Sequence, residues 1–180
     1  MISVAWRRLD AVGFERCGLS REGDGYALGG TIGLLEGGRS FDATYTVTCD
    51  AAWVTRSVTV DLGGPDGERS LRLAARGGSW LIDDRPEETL RGCVDIDLGW
   101  TPSTNTLPIR RLGLAIGESR LVTAAWVRFP ELTVEPLPQE YLRLDQRRYR
   151  YSSAGGRFVA ELEVDDDGLV TTYGQIWTRA

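Results

Sequence analysis

The sequence predicts a mostly β, single-domain protein: a curled antiparallel sheet with little helix, a spiral β-roll or half-barrel occupying residues 1–180. Three observations carry that expectation. Short segments alternate apolar and polar residues with a period of two, clusters of glycine and aspartate separate them, and almost no stretch repeats every 3.6 residues. Many short strands joined by tight turns bury one face best by curling the sheet on itself.

Taken in order, Tyr26–Leu35 is the first candidate strand. From Asp42 to Asp50, Ala43, Tyr45, Val47 and Cys49 share one face while Thr44, Thr46 and Thr48 share the other. Ala52–Asp61 repeats the pattern, with Val54, Val58 and Val60 opposite Trp53, Thr55, Ser57 and Thr59. On this reading Arg56 interrupts an apolar face, where a guanidinium needs a carboxylate partner or a wet cavity. Ser70–Ala75, Ser79–Asp83, Val94–Leu98, Arg120–Phe129, Glu131–Leu137, Gln139–Leu144, Arg148–Ser152, Phe158–Val164 and Leu169–Tyr173 complete the strands. Gly63-Gly64-Pro65-Asp66-Gly67, Arg76-Gly77-Gly78, Ala154-Gly155-Gly156 and Asp165-Asp166-Asp167-Gly168 read as turns. The Asp165–Gly168 run lacks the later ligands of a calcium loop.

Composition excludes several function classes. A net charge of -5 argues against a nucleic-acid partner, which calls for a strong positive field. All 21 basic residues are arginine; genomic base composition accounts for that, and so does recognition of carboxylate, phosphate or sugar by planar guanidinium groups. The absence of histidine removes Ser-His-Asp and Cys-His catalysis and histidine-bound metals. Cys17, Cys49 and Cys93 are odd in number and widely spaced, a pattern of reduced thiols rather than of a disulfide framework or a zinc site. The N-terminus shows no apolar leader and no segment has the length of a membrane span, so a cytoplasmic protein without a transmembrane segment is expected. Neither a cofactor nor a metal is called for.

Two stretches could carry chemistry. In Gly92-Cys93-Val94-Asp95-Ile96-Asp97-Leu98 an extended chain projects Asp95 and Asp97 from one face, their side-chain carbons about 7 Å apart. Such carboxylates could act as acid and base, or pair with arginines, or face water. In Trp100 to Leu112, Pro102 and Pro108 forbid a regular element through Thr101–Pro108. Pro108 suits the first turn of a short helix carrying Arg110 and Arg111, capped by Asn105 or Thr106. This segment is either a rigid polar loop that presents Thr101, Thr104, Asn105, Arg110 and Arg111 to a headgroup, or a structural corner. Trp80, Trp126, Tyr141, Tyr149 and Tyr151 could stack on a sugar or acyl chain, or simply pack in the core.

These segments resemble the putative glycolipid-binding family, formerly a bacterial domain of unknown function. The resemblance rests on Tyr45, Val47, Cys49-Asp50, Trp53-Val54-Thr55-Arg56, Gly92–Leu98, the run Thr101-Pro102-Ser103-Thr104-Asn105-Thr106-Leu107-Pro108-Ile109-Arg110-Arg111, Ala125–Pro130, Gln139–Tyr141, Tyr149–Tyr151 and Val164–Val170. It covers nearly the whole chain and is weakest over the first forty residues. The resemblance implies a curled sheet similar to bacterial periplasmic lipoprotein carriers and receptors, which hold acyl chains in an apolar half-barrel. A cofactor-free enzyme of violacein-type pigment synthesis is similar in fold. The family brings no assigned site residues.

The expected function is therefore a binding module for an amphipathic small molecule, a glycolipid or other lipid, in a concave apolar cavity. Trp53, Arg56, Asp95, Asp97, Thr101, Thr104, Asn105, Arg110, Arg111 and Trp126 are the candidate ligand-binding residues, with the arginines meeting a polar or anionic headgroup. The alternatives are a cofactor-independent enzyme using Asp95 and Asp97, and a protein-interaction module.

Overall fold

In the computed structural model, which describes residues 1–180, the strands form one fifteen-stranded sheet. The first half is a meander: β1 (Ile2–Arg8), β2 (Gly13–Glu22), β3 (Gly25–Glu36), β4 (Arg39–Cys49), β5 (Thr55–Gly64), β6 (Gly67–Arg76), β7 (Ser79–Ile82) and the short β8 (Arg85–Glu87). The second half comprises β9 (Asp95–Leu98), β10 (Ser119–Val127), β11 (Val134–Arg143), β12 (Arg148–Ser153), β13 (Phe158–Val164), β14 (Val170–Tyr173) and β15 (Trp177–Arg179). The strand order runs from β8 back to β1, on to β15, and then down to β9. Every neighbouring pair is antiparallel except β9 with β10. The sheet is mostly β, curled and unclosed, as the alternation predicts.

Most predicted strands are present within a few residues of their expected ends. Glu131–Leu137 and Gln139–Leu144 are not separate strands; they belong to one strand, β11, that tolerates both Pro136 and Pro138. The reason lies in the register. Residues two apart point their N–H groups to the same side, and β12 pairs only with Gln139–Arg143, so the missing proline donors fall where no neighbour needs them. The first two strands, β1 and β2, were not anticipated. They carry Trp6, Glu15, Cys17 and Leu19 into the interior.

The chain between β8 and β10 is what closes the molecule. It leaves one end of the sheet and returns through the interior as β9, a 3-10 turn at Ser103–Asn105 and one helix, α1 (Thr106–Leu112). Every residue from Trp100 to Ile109 is buried. The open edge of β9 is satisfied inside the protein: Ile96 N–H donates to Thr55 Oγ1 of β5, and Leu98 N–H donates to Thr104 Oγ1, both at 3.3 Å. This segment divides the interior. Ile96, Leu98, Trp100 and Leu107 join the large core formed by the inner faces of β2–β6. Ile109 joins a smaller core with Tyr141, Tyr149, Tyr151, Leu162 and Val170.

The short helix forms as the prolines suggest, but without the expected side-chain cap. Asn105 stands at the N-cap and makes no capping bond; its amide donates instead to the Tyr141 hydroxyl at 2.8 Å. Gly113 ends the helix in the left-handed conformation.

Candidate functional site

A pocket of about 310 Å³ opens between the buried central segment and the inner face of the second half of the sheet. Asp97 and Gly99 from β9 and its end, and Thr101 and Asn105 from the proline-braced stretch, form one side. Trp126 and Leu137 of β10 and β11, with Tyr151, Ser153, Phe158 and Tyr173 of β12–β14, form the other. Gly99 has a specific reason to be glycine: a Cβ there would lie 2.4 Å from Trp126 Nε1, so only a bare backbone lets the indole lie against it.

Asp97 is the charged centre of the pocket. Gln139 Nε2 donates to Asp97 Oδ2 at 2.6 Å, and the Tyr151 hydroxyl donates to the same carboxylate. Burial pushes the Asp97 carboxyl up to about 6, against the pull of those two donors. Around it, Tyr151, Phe158 and Tyr173 stand nearly edge-on to one another, with centroids 5.9–6.3 Å apart and interplanar angles of 66–80°. Edge-to-face contacts of this kind hold the rings in fixed orientations along the pocket wall.

Asp95, two residues earlier on the same face, has a different fate. Arg111 binds it through two parallel bonds, Nε to Oδ1 at 2.9 Å and Nη2 to Oδ2 at 2.6 Å. Its carboxylate is almost wholly buried and lies outside the pocket lining. The acid–base pair offered by the sequence is thus split into an ion pair and a solitary pocket carboxylate, and the enzymatic alternative has no support.

Of the ten candidate residues, the structure brings Asp97, Thr101, Asn105 and Trp126 to the pocket. The rest lie elsewhere. Arg56 does not interrupt an apolar face: Thr48 and Cys49 pair with Ser57 and Thr55, so Arg56 is the extra residue of a β-bulge and turns outward to bind Asp50. Trp53 is buried between Tyr26, stacked at 4.0 Å, and the Arg110 guanidinium, 5.0 Å above its ring. Arg110 is exposed, Arg111 is spent on Asp95, and Thr104 serves the edge of β9. The anionic-headgroup role expected of the arginines therefore has no counterpart at the pocket, which no arginine lines.

The proline-braced stretch is likewise a plug and not a rim. Beneath it lies a polar cluster that the sequence reading missed. Glu15 is fully buried; Tyr45 and Thr101 hydroxyls both donate to its Oε1, the latter at 2.7 Å. Ser103 Oγ lies 2.7 Å from the Tyr45 hydroxyl and 2.9 Å from Thr101 Oγ1. Glu15 Oε2 has no partner, and burial pushes the carboxyl up to about 7. A signal was present: Glu15 shares a strand face with Cys17 and Leu19, a carboxylate on an apolar stripe. Phe158 and Tyr173 were also missed, being spread over separate strands. No three acidic or cysteine side chains converge on a point that could hold a metal ion.

Larger depressions of about 810 and 860 Å³ lie on the face of β1–β6 turned away from the core, lined by a mixture of polar, glycine and apolar residues. They are open troughs on the outer face of the curved sheet, whereas the expected hollow lay on its inner, concave face.

The family model described as "Putative glycolipid-binding" matches residues 3–179. The chain belongs to that family. A solved structure similar to this one is that of a DUF1089 family protein from Pseudomonas aeruginosa, 34% identical, with 93% of this chain and 92% of the other covered and a TM-score of 0.85. No curated protein matches. The family's name points to glycolipid binding, and no helix here is long and apolar enough to cross a membrane.

Proposed function

We propose that this member of the glycolipid-binding family binds an amphipathic small molecule, a glycolipid or another lipid, at the pocket beside Asp97. One observation carries the reading: a hollow walled by four aromatic rings also holds a carboxylate, an amide and hydroxyl groups within the same small space. Aromatic faces supply apolar contact area, and the few polar groups fix orientation, which is the usual division of labour in ligand pockets. At about 310 Å³ the pocket is near the lower end for ligand sites, so it takes a headgroup or the end of a chain, while the remainder of the ligand lies outside.

Native mass spectrometry of the purified protein tests this directly. A co-purifying lipid-like mass is expected, lost on Trp126→Ala. If repeated extractions, followed by titration with a panel of lipids and glycolipids, show nothing bound, the proposal fails.

A further inference from the structure

Within that reading, we infer that the pocket selects headgroups carrying a cationic nitrogen, either the ammonium of an amino sugar or a choline-like quaternary ammonium. Two independent features converge on this chemistry. Asp97 is the sole charged residue of the pocket lining, and its two donors, Gln139 and Tyr151, leave further acceptor positions on the carboxylate. Beside it the rings of Tyr151, Phe158 and Tyr173 line the same pocket and meet nearly at right angles. The face of an aromatic ring carries negative quadrupole density, and a cluster of such rings next to a carboxylate is complementary to a cation.

The arrangement also discriminates against the opposite charge. Arg111 is paired with Asp95, Arg128 lies over the Trp126 ring at 5.2 Å with Glu135 3.7 Å away, and Arg157 is held on the Ala154 carbonyl at 3.0 Å; none of the three lines the pocket. A phosphate or sulfate headgroup entering the pocket would meet Asp97 with no basic lining residue to offset it. A neutral sugar could use the same hydroxyl and amide groups but would gain nothing from the carboxylate's charge.

The test uses four probes with the same octyl chain, below their micelle concentrations and at physiological ionic strength: octyl glucoside, octyl glucosaminide, octyltrimethylammonium and octyl sulfate. Binding is followed by NMR at the Trp126 indole N–H. At least one cationic probe is expected to bind about tenfold more tightly than octyl glucoside, with octyl sulfate weakest. Asp97→Asn, which keeps an acceptor for Gln139, should abolish that advantage, so that within the variant neither cationic probe binds more tightly than octyl glucoside. The tighter of the two cations identifies an amino sugar or a quaternary ammonium. Octyl glucoside binding as tightly as both cations in the unaltered protein overturns the inference but leaves the amphipathic-ligand reading standing. A cation preference that survives Asp97→Asn overturns it too, because it then reflects the protein's overall negative charge. If none of the four probes moves the Trp126 signal, the pocket reading itself falls.

Discussion

The two sides of the Asp95–Leu112 segment face the same sheet and are built differently. Toward β2–β6, Ile96, Leu98, Trp100 and Leu107 are each no more than 3% exposed and pack into the large apolar core. Toward β11–β14 the segment offers a carboxylate, an amide and a hydroxyl to a set of aromatic rings, and a hollow remains. Curvature alone therefore does not make a cavity. What the chain inserts into the curl decides whether the space is packed or left open. Strand β9 shows this within four residues: its even positions, Ile96 and Leu98, enter the filled side, and its odd positions, Asp95 and Asp97, face the other.

The contrast can be broken most forcefully at Arg111. Its guanidinium is the only charged partner of a carboxylate that is 1% exposed, so Arg111→Met should cost about 3–5 kcal/mol in urea denaturation at neutral pH. The double variant with Asp95→Asn should recover most of that loss, since no uncompensated charge remains. Failure of the second change to rescue the first would mean that Arg111 acts through packing.

Next in size is a pair of truncations, one on each side. Leu107→Ala removes a fully buried side chain from the filled side and should cost about 2–5 kcal/mol, whereas Phe158→Ala at the pocket mouth should cost no more than about 1 kcal/mol. Thermal melts read the difference directly, as every kcal/mol moves the midpoint by about 2–4 °C in a chain of this size. Equal shifts would show that the pocket wall is as tightly packed as the core.

The third effect depends on pH. Glu15 has its folded-state carboxyl raised from 4.5 to about 7, so the folded protein keeps a proton that the unfolded chain releases. Its contribution is neutral below about pH 4.5, becomes unfavourable as pH rises, and reaches its full cost of about 3 kcal/mol above pH 7. Glu15→Gln cannot ionise. The stability of the variant relative to the unaltered protein should therefore rise by about that amount between pH 4 and pH 8. A difference that stays flat across this range would place Glu15 in contact with water or an unrecognised donor.

Much of the fold was legible because the period-two alternation is a local property. Ala43, Tyr45, Val47 and Cys49 announce both a strand and its buried face, and all four are buried. The short helix was legible too, since the constraint imposed by Pro108 acts within one turn. Arg56 was misplaced because a bulge shifts every later residue to the other face, and the extra residue is defined only by the partner strand. The pocket was legible in part. Asp97, Thr101, Asn105 and Trp126 stand out in the sequence, but Phe158 and Tyr173 are ordinary strand aromatics until the curl brings them beside Asp97. Glu15 is not legible because β1 and β2 carry weaker alternation than the later strands, and the other members of its polar cluster, Tyr45, Thr101 and Ser103, are distant in sequence.

By itself the sequence determined the chemistry available: a chain of strands with no histidine, buried aromatics, and two aspartates on one face of a short strand. Tertiary structure alone decided which aspartate is neutralised by Arg111 and which is left facing open space. The reason is physical. Strand periodicity depends on neighbours along the chain, whereas the partner of a charge, and the volume beside it, depend on segments far apart in sequence that meet only when the sheet rolls around its own connecting loop.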